Sequence, residues 1–146
     1  MNNLDFEYDH DDFQRDLARA ARNFKRAQEN FYAKAEYWSE LGPKFFGGMI
    51  TIKTEAGNII GQVAGKNFAI AVMPLSNETG SYALASVSIP NLYDEFRTEV
   101  VRFLVDENGG VTGDGGAKLL SNEDETPDYR LLAAIVRRVL AAEPKG

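Results

Sequence analysis

The sequence predicts an α+β fold: a long N-terminal helix packed on an antiparallel meander of about five or six strands, with a C-terminal helix. Three observations carry this expectation. Apolar residues recur at helical spacing from Phe13 to Trp38. Between Met49 and Val105 short apolar or alternating runs are separated by turn residues. The chain then ends on an apolar face introduced by Thr126-Pro127-Asp128.

Asp11 or Asp12 is placed to cap the first helix, whose body runs to about Leu41. Phe13, Leu17, Ala20, Phe24, Ala27, Phe31, Ala35 and Trp38 are spaced 4, 3, 4, 3, 4, 4 and 3 apart. At ~100° per residue they lie within about 50° of one line. Such a helix is roughly 45 Å long at ~1.5 Å per residue, longer than a domain of this size is wide. It must flank a whole sheet or pair with another helix. Gly42-Pro43 is read as its stop, with the glycine as a left-handed cap.

Met49 to Thr54 alternates, Glu55-Ala56-Gly57-Asn58 is turn chemistry, and Ile59 to Ala64 follows. Gly65-Lys66-Asn67 reads as the next turn, Phe68 to Met73 as a strand closed by Pro74, and Ser76 to Ser81 as a polar loop. From Ser81 to Ile89, Ala83, Ala85, Val87 and Ile89 fall on one face, Tyr82, Leu84 and Ser86 on the other. Residues 91–105 fit a helix through Leu92, Phe96, Val100, Phe103 and Leu104. The β-branched and aromatic residues Thr98, Val100, Val101, Phe103 and Val105 favour a strand from about Arg97 to Val105. Asp106-Glu107-Asn108-Gly109-Gly110 closes it as a turn. Val111 to Asp114 is short enough to return against it, and the rest of 106–128 reads as a Gly/Asp-rich loop. In the last helix Thr126 is placed to cap, Pro127 suits the first position, Asp128 complements the helix dipole, and Leu131, Leu132, Ile135, Val136, Val139 and Leu140 form the apolar face. Glu143-Pro144 stops it. The chain divides into an acidic arm, 1–12, and a single domain, 13–142.

The 146 residues are 44% hydrophobic and 26% charged, enough to bury a core without staples. The absence of cysteine removes disulfides, thiolate metal sites and thiol nucleophiles, and one histidine removes two-histidine metal motifs. A net charge of −6 argues against direct nucleic-acid binding. No apolar run reaches the ~18 residues of a membrane span, and the first residues lack the basic and apolar regions of a signal peptide, so a cytoplasmic protein is expected. Charge is segregated. Residues 1–12 hold five acids and no base, residues 13–41 six bases and four acids, residues 106–128 seven acids and one lysine, and residues 129–146 four bases and one acid.

Motifs for chemistry are weak. Gly110 to Gly115 has the glycine spacing of a phosphate loop, but Gly116 stands where the lysine belongs. Asp106, Asn108 and Gly110 start like a calcium loop, but Gly110 and Val111 occupy its fifth and sixth positions. His10 among Asp9, Asp11 and Asp12 is one imidazole on an arm, short of three fixed metal ligands. No catalytic residue, metal or cofactor is therefore assigned. In outline the fold resembles the cone-shaped cystatin-like and nuclear-transport-factor-like domains, with no shared motif and with the trailing helix as a departure.

The function expected is a non-catalytic protein-binding module, a small acidic inhibitor, immunity or adaptor protein that engages a basic partner. Its partner surface is assigned to Asp106, Glu107, Asp114, Glu123, Asp124 and Glu125, where an acidic field steers encounter. An aromatic end, Tyr37, Phe45 and Phe46, is the second candidate contact. Arg15, Arg19, Arg22 and Arg26, spaced 4, 3 and 4, form a basic stripe opposite the apolar line. Two alternatives stand beside this reading. One is a ligand-binding or enzymatic cone with an apolar cavity and polar groups such as Tyr32, Tyr82 or Arg102. The other is a structural subunit that homodimerises through the long helix or a sheet edge.

Overall fold

The computed structural model describes residues 1–55, 57–113 and 115–145, with the backbone but not the side chain of Phe45. A short 3-10 turn, Asn3–Phe6, precedes helix α1, His10–Phe45. Seven strands follow: β1 Ile50–Glu55, β2 Asn58–Val63, β3 Lys66–Asn77, β4 Gly80–Pro90, β5 Arg97–Val105, β6 Val111–Thr112 and β7 Lys118–Leu120. Helix α2, Pro127–Ala141, closes the fold. The strands form one antiparallel sheet in chain order, so every neighbour is joined by a local connection. The α+β expectation holds, with seven strands rather than five or six. The extra strand is β7, which pairs with β6 inside the stretch read as loop; two or three residues are too few to show a period.

The core forms where the C-terminal half of α1 and α2 cover one face of the sheet. Phe31, Trp38, Ile59, Phe68, Ile70, Leu132, Ile135 and Val139 are almost completely buried there. So is the inward face of β4, Ala83, Ala85, Val87 and Ile89, as its alternation predicts. Small alanines on β4 let α1 approach the sheet closely, and the large rings fill the space to either side. Phe31 meets Trp38 and Phe103 edge to face, with ring centroids 5.9 and 5.8 Å apart.

Several boundaries differ from expectation for identifiable reasons. Helix α1 starts one turn early because Asp9, not Asp11 or Asp12, caps it, accepting from the Asp12 N–H at 3.0 Å. It also runs through Gly42-Pro43 to Phe45. The left-handed residues are Gly47 and Gly48, with φ of 56° and 81°. Gly42 is helical, and it is glycine because β1 crosses directly over it. Strand β3 runs through Pro74 to Asn77. Beyond Ile70 it has β4 alone as a neighbour, and a proline is tolerated on such an edge. Glu78-Thr79 then makes a two-residue turn in place of the expected longer loop. The β2–β3 turn is Ala64-Gly65, both with positive φ (49° and 87°), rather than Gly65-Lys66-Asn67. Thr126 makes no side-chain cap hydrogen bond; its backbone is left-handed (φ 45°) and swings the chain into α2.

Candidate functional site

The most unusual feature of the fold is the reach of α1. At ~1.5 Å per residue the 36-residue helix spans about 54 Å. Full burial begins only at Ala27, after partial burial at Ala20, Asn23 and Phe24. Residues 10–19, all exposed, therefore project about 15 Å past the body of the domain. The apolar line does not stop where the sheet stops. Ala27, Phe31, Ala35 and Trp38 are at most 1% exposed, yet Phe13 and Leu17, on the same line, are 50% and 58% exposed. The arm adds Leu4, Phe6 and Tyr8, each 68–70% exposed, and Tyr8 packs edge-on against Phe13 at 5.9 Å. The result is an apolar strip, exposed at Leu17 and Phe13 and extended by the arm's Tyr8, that runs into the half-buried Ala20 and Phe24.

The arginine stripe lies on the same projecting segment. Arg15 pairs with Asp12 at 2.7 Å, Arg19 with Asp16 at 3.9 Å and Arg26 with Glu107 at 3.6 Å. All of these arginines are more than 60% exposed, so each pair contributes little to stability. Among the described residues Arg22 has no ion-pair partner.

The acidic surface is more committed to the fold than its composition suggests. Asp106 Oδ1 accepts from the backbone N–H groups of Asn108 and Gly110, both at 2.9 Å, and so holds the β5–β6 turn. The Glu107 backbone oxygen accepts from Asn30 Nδ2, and its carboxylate faces Arg26. Asp124 accepts from the Ser121 N–H at 2.7 Å. Glu123 and Glu125 are exposed, and Asp114 lies outside the described residues. Of the aromatic end, Tyr37 is 46% exposed and Phe46 is half-buried, stacked on Tyr129 with centroids 5.8 Å apart. Phe45's side chain lies outside the described residues.

No wide cavity opens between helix and sheet at Tyr32, Tyr82 and Arg102 among the described residues. Tyr32 donates to the Gly57 carbonyl oxygen, Tyr82 hydrogen-bonds Thr79 at 2.9 Å, and Arg102 pairs with Glu99. The rings of Phe31, Trp38 and Phe68 fill the interior instead. An open groove of about 550 Å³ lies between α2 and β5–β7, floored by Phe103, Leu120 and Ile135 and edged by Arg130, Arg137 and Arg138.

One buried polar group was missed by the sequence reading. Lys34 sits on the inner face of α1 with its side chain 8% exposed. It donates to Asp128 Oδ1 at 2.5 Å and reaches Asn122 Oδ1 at 3.5 Å, and Trp38 Nε1 donates to the Asp128 backbone oxygen at 2.8 Å. A cation between Phe31 and Ala35, on the apolar side of the helix, was the signal available.

On the outer face of the sheet, the Arg102 and Ser86 hydrogen bonds hold the Glu99 carboxyl below the usual carboxylate range. Its folded value being depressed, the stability it contributes is present above the ordinary glutamate range and is lost as pH falls through that lowered value. A carbon-13 titration should show Glu99 ionising below the ordinary glutamate range, and more nearly within it in the Arg102→Ala chain. A Glu99 that titrates alike in both chains would remove the Arg102 contact from solution.

Among the described residues no group of three His, Cys, Asp or Glu side chains is gathered to hold a metal ion, and no helix is long and apolar enough to cross a membrane. No family model, curated protein or solved structure matches the chain.

Proposed function

We propose that the chain is a non-catalytic protein-binding module whose docking element is the projecting half of α1, with the acidic arm at its tip. One observation carries this reading: the apolar line that packs the core continues past the half-buried Phe24 and Ala20 to Leu17 and Phe13, which are exposed. An amphipathic helix in water is stable when its apolar face is covered, and a strip of this kind is how a helix presents anchors to a groove or to another helix. The stripe of arginines and the five acids of the arm flank the strip and supply orientation and encounter rate rather than most of the affinity. The acidic turn at Asp106 and Glu107 is then part of the scaffold: it fastens the helix at Asn30 and Arg26, where the projection begins.

The test separates binding from folding. Phe13→Asp and Leu17→Asp remove exposed apolar groups, so the melting temperature should move by no more than the equivalent of about 0.5 kcal/mol. The same double variant should lose specific partners recovered from the native host, and any self-association, that the parent chain shows. Unchanged capture and unchanged mass would refute the docking role of this segment.

A further inference from the structure

We infer that the strip on α1 is covered by a second copy of the same helix, running antiparallel. This rests on the docking role proposed above and names its occupant. Three observations support it. The seam reads the same in both directions: Phe13, Leu17, Ala20 and Phe24 are spaced 4, 3 and 4, the first two exposed and the last two half-buried where the line meets the core. A twofold axis between Ala18 and Arg19 therefore lays Phe13 over Phe24 of the second copy and Leu17 over its Ala20. In the second layer, a large side chain faces a small one, as knobs-into-holes packing requires. The spacing is that of a heptad seam, and it is continuous with the line buried in the domain core.

The third observation is charge. Residues 1–12 carry five acids and no base, whereas residues 13–26 carry five bases and one acid. Pairing in the antiparallel sense sets Asp11 and Asp12 at the level of Arg26 and Lys25 of the second copy. Pairing in the parallel sense stacks acid on acid and base on base over the whole length. Self-complementarity of this kind is what an isologous twofold contact demands. The seam from Phe13 to Phe24 is about three turns long, below the area of a standard stable interface, so the dimer is expected to be concentration-dependent rather than permanent.

The chain has no cysteine, so introduced thiols are the only ones present. Gln14 and Ala21 are exposed and flank the seam on one side. The full-length chain carrying Gln14→Cys is mixed with the full-length chain carrying Ala21→Cys, and a thiol cross-linker spanning about one helix diameter, ~10 Å, is added. The antiparallel pair brings these two positions together, so the mixed dimer should exceed either homodimer several-fold. It should vanish when Phe13→Asp and Leu17→Asp are added. Equal homodimers from each single variant, with little mixed product, would overturn the antiparallel arrangement. A parent chain that sediments as a monomer at its highest usable concentration would overturn the second copy as occupant. If host-partner capture still depended on Phe13 and Leu17, the docking role would survive that result; if it did not, both would fall.

Discussion

Replacing Asp128 with alanine should destabilise the domain by about 3 kcal/mol in urea unfolding. The reason lies in what the change leaves behind. The Lys34 ammonium is 8% exposed at the junction of α1, α2 and the 121–125 loop, and Asp128 is its only carboxylate partner among the described residues. Removing one partner of a buried pair strands a charge in a medium that solvates it poorly, which typically costs about 3–5 kcal/mol. Asp128 itself is 34% exposed, and water entering the vacated space offsets part of that, which places the expectation at the lower end. Lys34→Met is the informative companion. It keeps the unbranched stem among the apolar neighbours and removes the charge that needed solvating, leaving Asp128 with access to water. It should cost less than about 1 kcal/mol and suppress the Asp128→Ala effect in the double variant. If Asp128→Ala and Lys34→Met were equally damaging, the pair would be stabilising in itself rather than mutually necessary.

The same cluster shows why the two helices meet where they do. Trp38 and Lys34, one turn apart on α1, both bind Asp128, one to its backbone oxygen and one to its side chain. The first turn of α2 is thus held by α1 rather than by a side-chain cap of its own, and Thr126 is free to take a left-handed backbone. In the sequence, Asp128 reads as a helix-dipole residue. That is correct in position and incomplete in role, because a partner 94 residues away leaves no local pattern.

What was legible followed from period. The apolar line of α1, the two faces of β4, the strand from Arg97 to Val105 and the buried face of α2 all repeat often enough to be recognised. What was not legible depended on a neighbour. Pro74 looked like a strand end because the sequence does not say that β2 has already left that side of β3. The acids at 106, 107 and 124 looked like a free surface, because turn and ion-pair duties are assigned only once the chain is folded. The line from Phe13 to Trp38 was visible throughout; where the sheet beneath it ends was not. That boundary makes one half of the line core and leaves Leu17 and Phe13, at its other end, exposed.

Gly42 gives the sharpest contrast between a sequence-level and a structural expectation. In a helix interior, Gly→Ala ordinarily stabilises by about 1 kcal/mol, since alanine restricts the unfolded chain and favours helical dihedrals. Gly42 is helical, so propensity alone predicts a gain. The structure predicts a loss. A Cβ at Gly42 would lie 2.3 Å from the backbone oxygen of Ile50 and 3.4 Å from its carbonyl carbon. Neither side of that contact is a flexible side chain. On one side the Gly42 carbonyl accepts from Phe46 and Gly48, and on the other Ile50 begins β1 paired with Val63. Relief requires the end of α1 to lift from the sheet, which opens the packing around Leu41 and Ile52. Overpacking of this kind costs about 1–3 kcal/mol, more where backbone must move, and exceeds the propensity gain. Gly42→Ala should therefore lower stability by at least about 2 kcal/mol, a fall of roughly 4–8 °C in melting temperature for a chain of this length. Gly47→Ala is the control, with open space around it and a φ of 56°: it meets only backbone strain of about 1–2 kcal/mol. A Gly42→Ala chain as stable as the parent would mean that β1 does not cross the helix end as closely as the structure places it, and the junction between α1 and the sheet would have to be redrawn.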